Sequence, residues 1–340
     1  MILVTGGTGL VGSHLLFKLL QEGEPVRAIY RREKTLKRVS NVFSYYTDDA
    51  DQLFSKIDWV EADITNIPKL QDAFKGITKV YHCAAFVSFE PDKEKLLRKI
   101  NIEGTANIVN LSLTHNVEKL CYVSSISAIG NHTNPEKLID EQTAWNSEDD
   151  NSVYAITKYG AELEVWRGTQ EGLDAVIVNP GVILGPGYWH GGNSGSLFKK
   201  IHKGMRYYVT GVVGYVAVFD VVKAMQQLMD STIKNENFIL VSENLSFKDF
   251  QVKVAKTLGV KAPKKEAKSW FLNIVWRLDW LNHKLFGKRR ALSKQTAKSA
   301  TSVTKYDNSK LKNTMSFEFK SVDMTINDIS TQYLRDLKNG

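Results

Sequence analysis

Ile2-Leu3-Val4-Thr5-Gly6-Gly7-Thr8-Gly9-Leu10-Val11-Gly12 is a short apolar strand that runs straight into a glycine turn and then a helix. Two glycine spacings overlap in it, Gly7-x-Gly9-x-x-Gly12 and the wider Gly6-x-x-Gly9-x-x-Gly12. Gly6 and Gly9 permit a tight turn and a close backbone approach to a pyrophosphate, while Gly12 puts no side chain between helix and sheet. The helix start at Leu10 and Val11 offers unsatisfied N–H groups and the positive end of a helix dipole. An apolar strand before the turn and Leu15, Leu16, Leu19 and Leu20 after it supply the context this motif needs. The reading is a dinucleotide site.

Strand and helix signals keep alternating beyond the turn, as expected of a doubly wound parallel sheet with helices on both faces. Strands are expected at Pro25–Tyr30, Asp58–Glu61, Lys79–His82, Lys119–Ser124 and Ala175–Asn179. Helices are expected over Ile67–Phe74, Pro91–His115 and Ser152–Gln170, with polar loops after Tyr30 and over residues 131–151. After Asn179 the breaks Pro180-Gly181, Gly185-Pro186-Gly187 and Gly191-Gly192 mark the start of a smaller, mostly helical substrate-binding lobe. A helix near Val221–Met229 and a strand at Phe238–Val241 return to the first domain, and Ser246 with Asp249 forms a capping box for a later helix. The expected division is therefore 1–179 with 214–243 for the cofactor domain, and 180–213 with 244–340 for the lobe.

The chain has 340 residues, 43% of them hydrophobic, enough for a large packed core. No secretory leader pattern is present at the start, so a cytoplasmic enzyme is the expectation. Cys83 and Cys121 lie in apolar runs and read as buried thiols, and the seven histidines show no metal-ligand spacing, with His14 structural. The net charge of +8 is concentrated late: residues 251–313 hold 16 Lys and Arg against 3 Asp and Glu. No nucleic-acid motif accompanies this excess, and a solvated basic face is its simplest reading.

Tyr154-Ala155-Ile156-Thr157-Lys158 puts a phenol and an ammonium on one helix face. A tyrosine titrates near pH ~10, and a neighbouring positive charge favours its ionised form, which suits acid–base work. Upstream, the strand from Lys119 ends in Ser124-Ser125-Ile126-Ser127, at the carboxyl edge where ligands of such sheets bind. A hydroxyl there can orient a carbonyl oxygen.

In this combination the chain resembles the extended short-chain dehydrogenase/reductase family, also called the NAD-dependent epimerase/dehydratase family, over at least residues 1–245. The resemblance also rests on Asp63-Ile64, His82-Cys83-Ala84-Ala85, Asn101-Ile102-Glu103-Gly104-Thr105 and Asn179-Pro180-Gly181. It implies that Asp63 meets the adenine and that Ala84 lines the nicotinamide side, with Ile64, Ala85, Asn101, Pro180 and Val182 also serving the cofactor. It implies Tyr154 as acid or base, and Lys158 on the nicotinamide ribose and lowering the Tyr154 pKa. Ser125 fits the family serine better than Ser124 because Gly130 follows five residues later, with Ser127 left open. A homodimer through the helices carrying Asn101 and Tyr154 is implied as well.

Arg31 and Arg32 follow the second strand where an NAD site places an acid, and Arg27 lies within it, so NADP is expected ahead of NAD. The leading reading is an oxidoreductase that reduces a small carbonyl compound or oxidises the alcohol, similar to the dihydroflavonol reductase and 3-beta-hydroxysteroid dehydrogenase branches. The alternatives are a nucleotide-sugar epimerase and a nucleotide-sensing protein without turnover. Ile126 and Ser127 stand where dehydratase relatives carry acids. Substrate contacts are expected from Phe86, Val87 and Ser88, and from Tyr188, Trp189 and His190. Trp270–Phe286 is apolar nearly all round but interrupted by Arg277 and Asp279. Burial in the small lobe is its expected fate, ahead of a lid or subunit contact; membrane-surface docking helped by Lys288, Arg289 and Arg290 ranks last.

Overall fold

In the computed structural model, β1 (Ile2–Thr5) turns Ile2 and Val4 to one face of a sheet and Leu3 to the other, and both faces are covered. The structure describes residues 1–132, 134, 136–190, 194–286 and 292–339. Gly191, Gly192, Lys288, Arg289 and Arg290 lie outside them.

From β1 the chain passes through α1 (Leu10–Gln21), β2 (Val26–Tyr30), α2 (Lys37–Phe43), α3 (Ala50–Ser55), β3 (Asp58–Glu61), α4 (Ile67–Ala73) and β4 (Lys79–His82). The long helix then comes in three parts: α5 (Glu94–Leu97), a π-helical stretch over Arg98–Glu103, and α6 (Gly104–Thr114). β5 (Lys119–Val123), α7 (Val153–Gln170) and β6 (Ala175–Pro180) follow. Ser152 caps α7, its hydroxyl accepting from the Ala155 N–H.

Next come β7 (Val182–Leu184), α8 (Gly195–His202), β8 (Tyr207–Tyr208), β9 (Val212–Ala217), α9 (Val218–Asp230), β10 (Glu236–Leu240) and β11 (Glu243–Ser246). The chain closes with α10 (Phe247–Thr257), β12 (Lys265–Glu266), α11 (Ser269–Phe286), α12 (Lys294–Ser299), α13 (Ser309–Met315) and α14 (Val322–Asn339).

Seven strands form one parallel sheet in the order β10-β6-β5-β4-β1-β2-β3. The order reverses between β1 and β4, where a ligand crevice is expected at the carboxyl ends. Side-chain parity builds the two cores: Cys121, Val176 and Val178 join α1 and α9 on one face, while Leu120, Tyr122 and Ile177 join α4 to α7 on the other.

The lobe is less purely helical than its sequence suggests. It carries a three-stranded sheet, β11-β9-β7, and the short pair β12-β8, beside a core of Phe198, Phe250, Val254, Ile326 and Tyr333. The boundary placed at residue 214 falls inside β9, and the chain returns to the large sheet through α9 and β10. The polar loop after Tyr30 contains α2 and α3, whose Val39, Val42 and Phe43 are fully buried. Their dense charges mask a three-residue apolar stripe in the sequence.

The expected burial of Trp270–Phe286 is confined to one side of α11, where Leu272 is buried and Phe271 and Trp276 partly so. The core available to it consists of Ala267, Leu272 and Ala297 with a few partly buried neighbours, too small to cover an 18-residue helix on more than one side.

Candidate active site

The glycine turn is built for backbone contact. Gly6 has φ +68°, and a Cβ there would lie 2.7 Å from the Ala84 nitrogen and the Cys83 carbonyl carbon. The Thr5 hydroxyl accepts from the Ala84 N–H at 3.2 Å, so the turn and the β4 loop are tied together. At Gly12 a Cβ would lie 2.2 Å from the Gly6 carbonyl oxygen. No side chain caps α1 and no acid sits in its first turn, so its N-terminus is left to an anion. These features fit a dinucleotide, whose pyrophosphate Gly9, Leu10, Val11 and Gly12 would hold.

Around the far end of this crevice, Asp63 accepts from the Thr65 N–H at 2.9 Å and the Thr65 hydroxyl at 2.8 Å, and pairs with Arg31 at 3.6 Å. Partial burial works against the Asp63 charge, but the Thr65 bonds and Arg31 hold its carboxyl below the usual range. Ile64 is buried, with its side chain packed where a Cβ on Gly104 would fall and its carbonyl accepting from Asn107 at 2.9 Å. Arg31 is exposed, and so is Arg32. Arg27 is not available to a nucleotide: it pairs with Asp58 at 2.7 Å and donates to the Ala73 and Lys75 carbonyls. Its strand position turns it toward the neighbouring strand and helix end.

The three expected catalytic residues meet at the ends of β5 and α7. Tyr154 is buried, and the Ser125 side chain lies close enough to favour its ionised form. Burial pushes the phenol up to about 12, with Ser125 acting in the opposite direction. Ser125 also caps the short turn Ile126–Ala128 by accepting from the Ser127 N–H at 3.1 Å. Ser127 thus contributes its backbone, and Ser124 lies toward Glu162 instead.

Lys158 is buried and donates to the Tyr122 hydroxyl at 2.6 Å and the Val123 carbonyl at 2.9 Å. Burial lowers its pKa to about 7, opposed by Glu162. The influences that act on the Tyr154 phenol here are burial, which raises it, and Ser125, which opposes that rise.

Glu162 continues the Tyr154, Lys158 face by one more turn. It is buried and accepts from the Asn179 amide at 2.5 Å, while the same amide donates to the Ser125 carbonyl at 3.1 Å. The Asn179 side chain therefore holds both the Ser125 backbone and the Glu162 carboxylate that faces Lys158. Sequence reading missed Tyr122 and Glu162. Spacing of four from Lys158 could have found Glu162, whereas Tyr122 carries no signal beyond strand parity.

Two residues expected to touch cofactor or substrate hold the walls. Asn101, in the π-helical stretch, accepts from the Phe86 N–H at 2.8 Å and donates to the Phe86 carbonyl at 3.0 Å and to Thr157 at 3.1 Å. Its amide is fully engaged in fixing the β4 loop to α7. Ser88 accepts from the Glu90 N–H at 3.2 Å, shaping the same loop. Phe89, two-faced between solvent and site, contacts the Tyr154 ring edge-on at 5.4 Å.

Tyr188 and Trp189, expected to contact substrate, place their polar atoms on partners within the chain. Tyr188 is buried and donates to the Thr8 carbonyl at 2.9 Å, bracing the glycine turn. Trp189 donates to Asp336 at 2.6 Å and packs edge-on against Tyr333, both on α14. Pro180 is buried at the end of β6 and Val182 is half-buried in β7, paired with Tyr215 of β9. His14 is structural as expected, bonded to the Leu10 carbonyl and the Tyr46 hydroxyl and lowered by burial to about 4. Cys83 and Cys121 are free thiols.

The model of the NAD dependent epimerase/dehydratase family matches residues 2–240. The chain belongs to this family. It is an NAD(P)-dependent enzyme of the extended short-chain dehydrogenase/reductase type with the Rossmann fold. It is 30% identical over 280 residues to a putative dihydroflavonol 4-reductase of Synechocystis sp., covering 80% of this chain and 77% of that one. It is 29% identical over 243 residues to sterol demethylase protein B of Methylococcus capsulatus, covering 71% and 70%. Among solved structures, gox2253 superposes with a TM-score of 0.81 at 25% identity, covering 99% of this family member and 98% of gox2253. The UDP-glucose 4-epimerase of Thermotoga maritima shares the fold, with a TM-score of 0.76 at 20% identity over 99% of each chain.

Proposed function

We propose that this chain is an NADP-dependent reductase of a small carbonyl compound, with Ser125, Tyr154 and Lys158 as its catalytic set. The observation that carries this reading is the Tyr154 phenol, buried beside Ser125 and pushed up to about 12 by that burial, which keeps it protonated at neutral pH. A reduced carbonyl oxygen needs a proton, and a protonated phenol supplies one. When bound, the nicotinamide supplies the hydride. Ser125 orients the carbonyl oxygen, Tyr154 delivers its proton to that oxygen, and Lys158 lends positive charge next to the site.

The Synechocystis relative is a reductase by name, and 28% identity to cinnamoyl-CoA reductase 1 of Petunia hybrida supports the same chemistry. NADPH oxidation against panels of ketones and aldehydes tests the proposal. Nucleotide sugars converted without net NADPH oxidation would instead favour the epimerase reading.

Arg31 and Arg32 are suited to a 2′-phosphate because both guanidinium groups are exposed at the end of β2. Replacing both by Ser is expected to weaken NADPH binding by roughly 10–100-fold while NADH binding stays unchanged, measured by fluorescence titration. Equal losses for the two nucleotides would reject this assignment.

The pH dependence has a definite sign. Lys158 is charged below about 7 and loses its charge above, while Tyr154 remains an acid up to about 12. Reduction therefore holds on the acid side and declines as pH rises through the lysine titration, which in a coupled site belongs to the group as a whole. Glu162 favours the lysine proton, so Glu162→Gln moves this decline to lower pH in the kcat profile. An unmoved profile would assign the titration elsewhere. A homodimer through α5, α6 and α7 belongs to the same proposal, supported by the exposed Leu96 and Leu163 on that face and tested by sedimentation.

A further inference from the structure

We infer that α11 is a docking helix for an anionic membrane surface. Its 18 residues present an apolar stripe to solvent: Trp270, Ile274, Leu278, Leu281 and Leu285. At 3.6 residues per turn these five fall within a sector of roughly 80°. Trp270 is 63% exposed, Leu278 60% and Leu285 64%, values far from those of a packed face. The opposite side of α11 packs on α12 through Leu272 and its neighbours. Among the described residues no helix is long and apolar enough to cross a membrane, so the stripe suits a helix lying in the interface plane.

Charge selects the occupant. Arg277 and Lys284 border the stripe on one edge, with the guanidinium 4.8 Å from the Trp276 ring and the ammonium 5.2 Å from the Trp280 ring. Cations on aromatic stems beside an apolar stripe are what a bilayer surface with acidic headgroups accepts, the stems entering and the charges staying at the phosphates. The single acid of the helix, Asp279, is half-buried and accepts from the Leu292 N–H at 3.2 Å. A second copy paired through this stripe would bring a cationic edge to a helix with no exposed acid to meet it. The surrounding sequence adds the same sign of charge, 16 Lys and Arg against 3 Asp and Glu over residues 251–313.

The helix also has a definite relation to the site. α12 is anchored to the loop before α7 by Lys298 to Asp150 at 3.0 Å and Gln295 to the Asn151 carbonyl at 3.4 Å. That loop leads into Tyr154. Docking through α11 therefore seats the protein with this rim of the site close to the lipid.

The experiment is sedimentation of the full chain with vesicles of phosphatidylcholine alone or mixed with phosphatidylglycerol, without nucleotide or substrate, so that it is independent of the reductase proposal. The chain is expected to pellet with the anionic vesicles and to be released by raised salt. Leu278→Ser, Leu281→Ser and Leu285→Ser together are expected to weaken partitioning by roughly a hundredfold. Arg277→Gln with Lys284→Gln is expected to weaken it by roughly tenfold on anionic vesicles. Quenching of tryptophan fluorescence by brominated acyl chains tests the unmodified chain directly, and Trp270→Phe should remove a large part of it. A chain left in the supernatant with anionic vesicles, or pelleting equally with the three leucines replaced, overturns the inference. So does a stripe variant that abolishes self-association while vesicle binding stays unchanged.

Discussion

Tyr154→Phe is expected to lower turnover by roughly 10²–10⁴-fold while leaving nucleotide affinity and melting temperature almost unchanged. The substitution removes one oxygen from a buried ring whose packing against Phe89 remains available. The Ser125 hydroxyl near that oxygen still caps the turn through the Ser127 N–H and is not orphaned. The loss therefore falls on proton delivery, and it appears in kcat with little change in KM. Single-turnover NADPH oxidation with an active carbonyl substrate separates this from a binding defect. Retention of more than a tenth of the wild-type rate would remove Tyr154 from the acid role.

Gly12→Ala carries the largest expected effect on the cofactor site. The added methyl would stand 2.2 Å from the Gly6 carbonyl oxygen and 2.8 Å from the Gly7 Cα, and both neighbours are backbone. Neither can rotate away, so α1 must shift off β1 or the turn must open. Overpacking of this kind costs about 1–3 kcal/mol, and the displaced N–H groups no longer converge on a pyrophosphate. Nucleotide binding is expected to fall by more than about a hundredfold, with a lowered melting temperature. Gly9→Ala is the informative contrast, because its Cβ would meet the Gly6 oxygen at 3.2 Å, a contact that small adjustments relieve. Equal nucleotide affinity in the Gly12 variant and the parent would refute the crevice assignment.

Much of this arrangement was legible because the central strands are covered on both faces. β1, β5 and β6 read as continuous apolar runs, and the glycine turn, Ser152 cap and Tyr154–Lys158 spacing are all local. What local pattern cannot carry is the direction in which a side chain finds its partner. Tyr188 and Trp189 sit in a glycine-broken stretch that reads as a substrate wall. Yet the phenol reaches the Thr8 carbonyl across 180 positions and the indole reaches Asp336 across 147. Arg27 carries the right charge for a phosphate but stands near the wrong end of its strand, where Asp58 and the Ala73 carbonyl take it. Glu162 illustrates the reverse case, a functional neighbour hidden because a Glu in a helix ordinarily reads as solvated surface. The apolar character of α11 was plain, but its exposure depended on how little core Ala267 and Ala297 provide.

The order of the large sheet sets a schedule for its synthesis. β6 ends at Pro180, but its outer neighbour β10 is complete only at Leu240, after the chain has made two strands of the small sheet. At ordinary elongation rates the ribosome needs roughly 3–12 s to add the intervening residues. During that interval the hydrogen-bonding edge of Val176-Ile177-Val178 has no strand beside it, and an uncovered apolar edge is a template for association with other nascent chains. The last strand of the sheet thus acts as a cover that arrives late, and chaperone demand during translation should peak before Leu240 emerges.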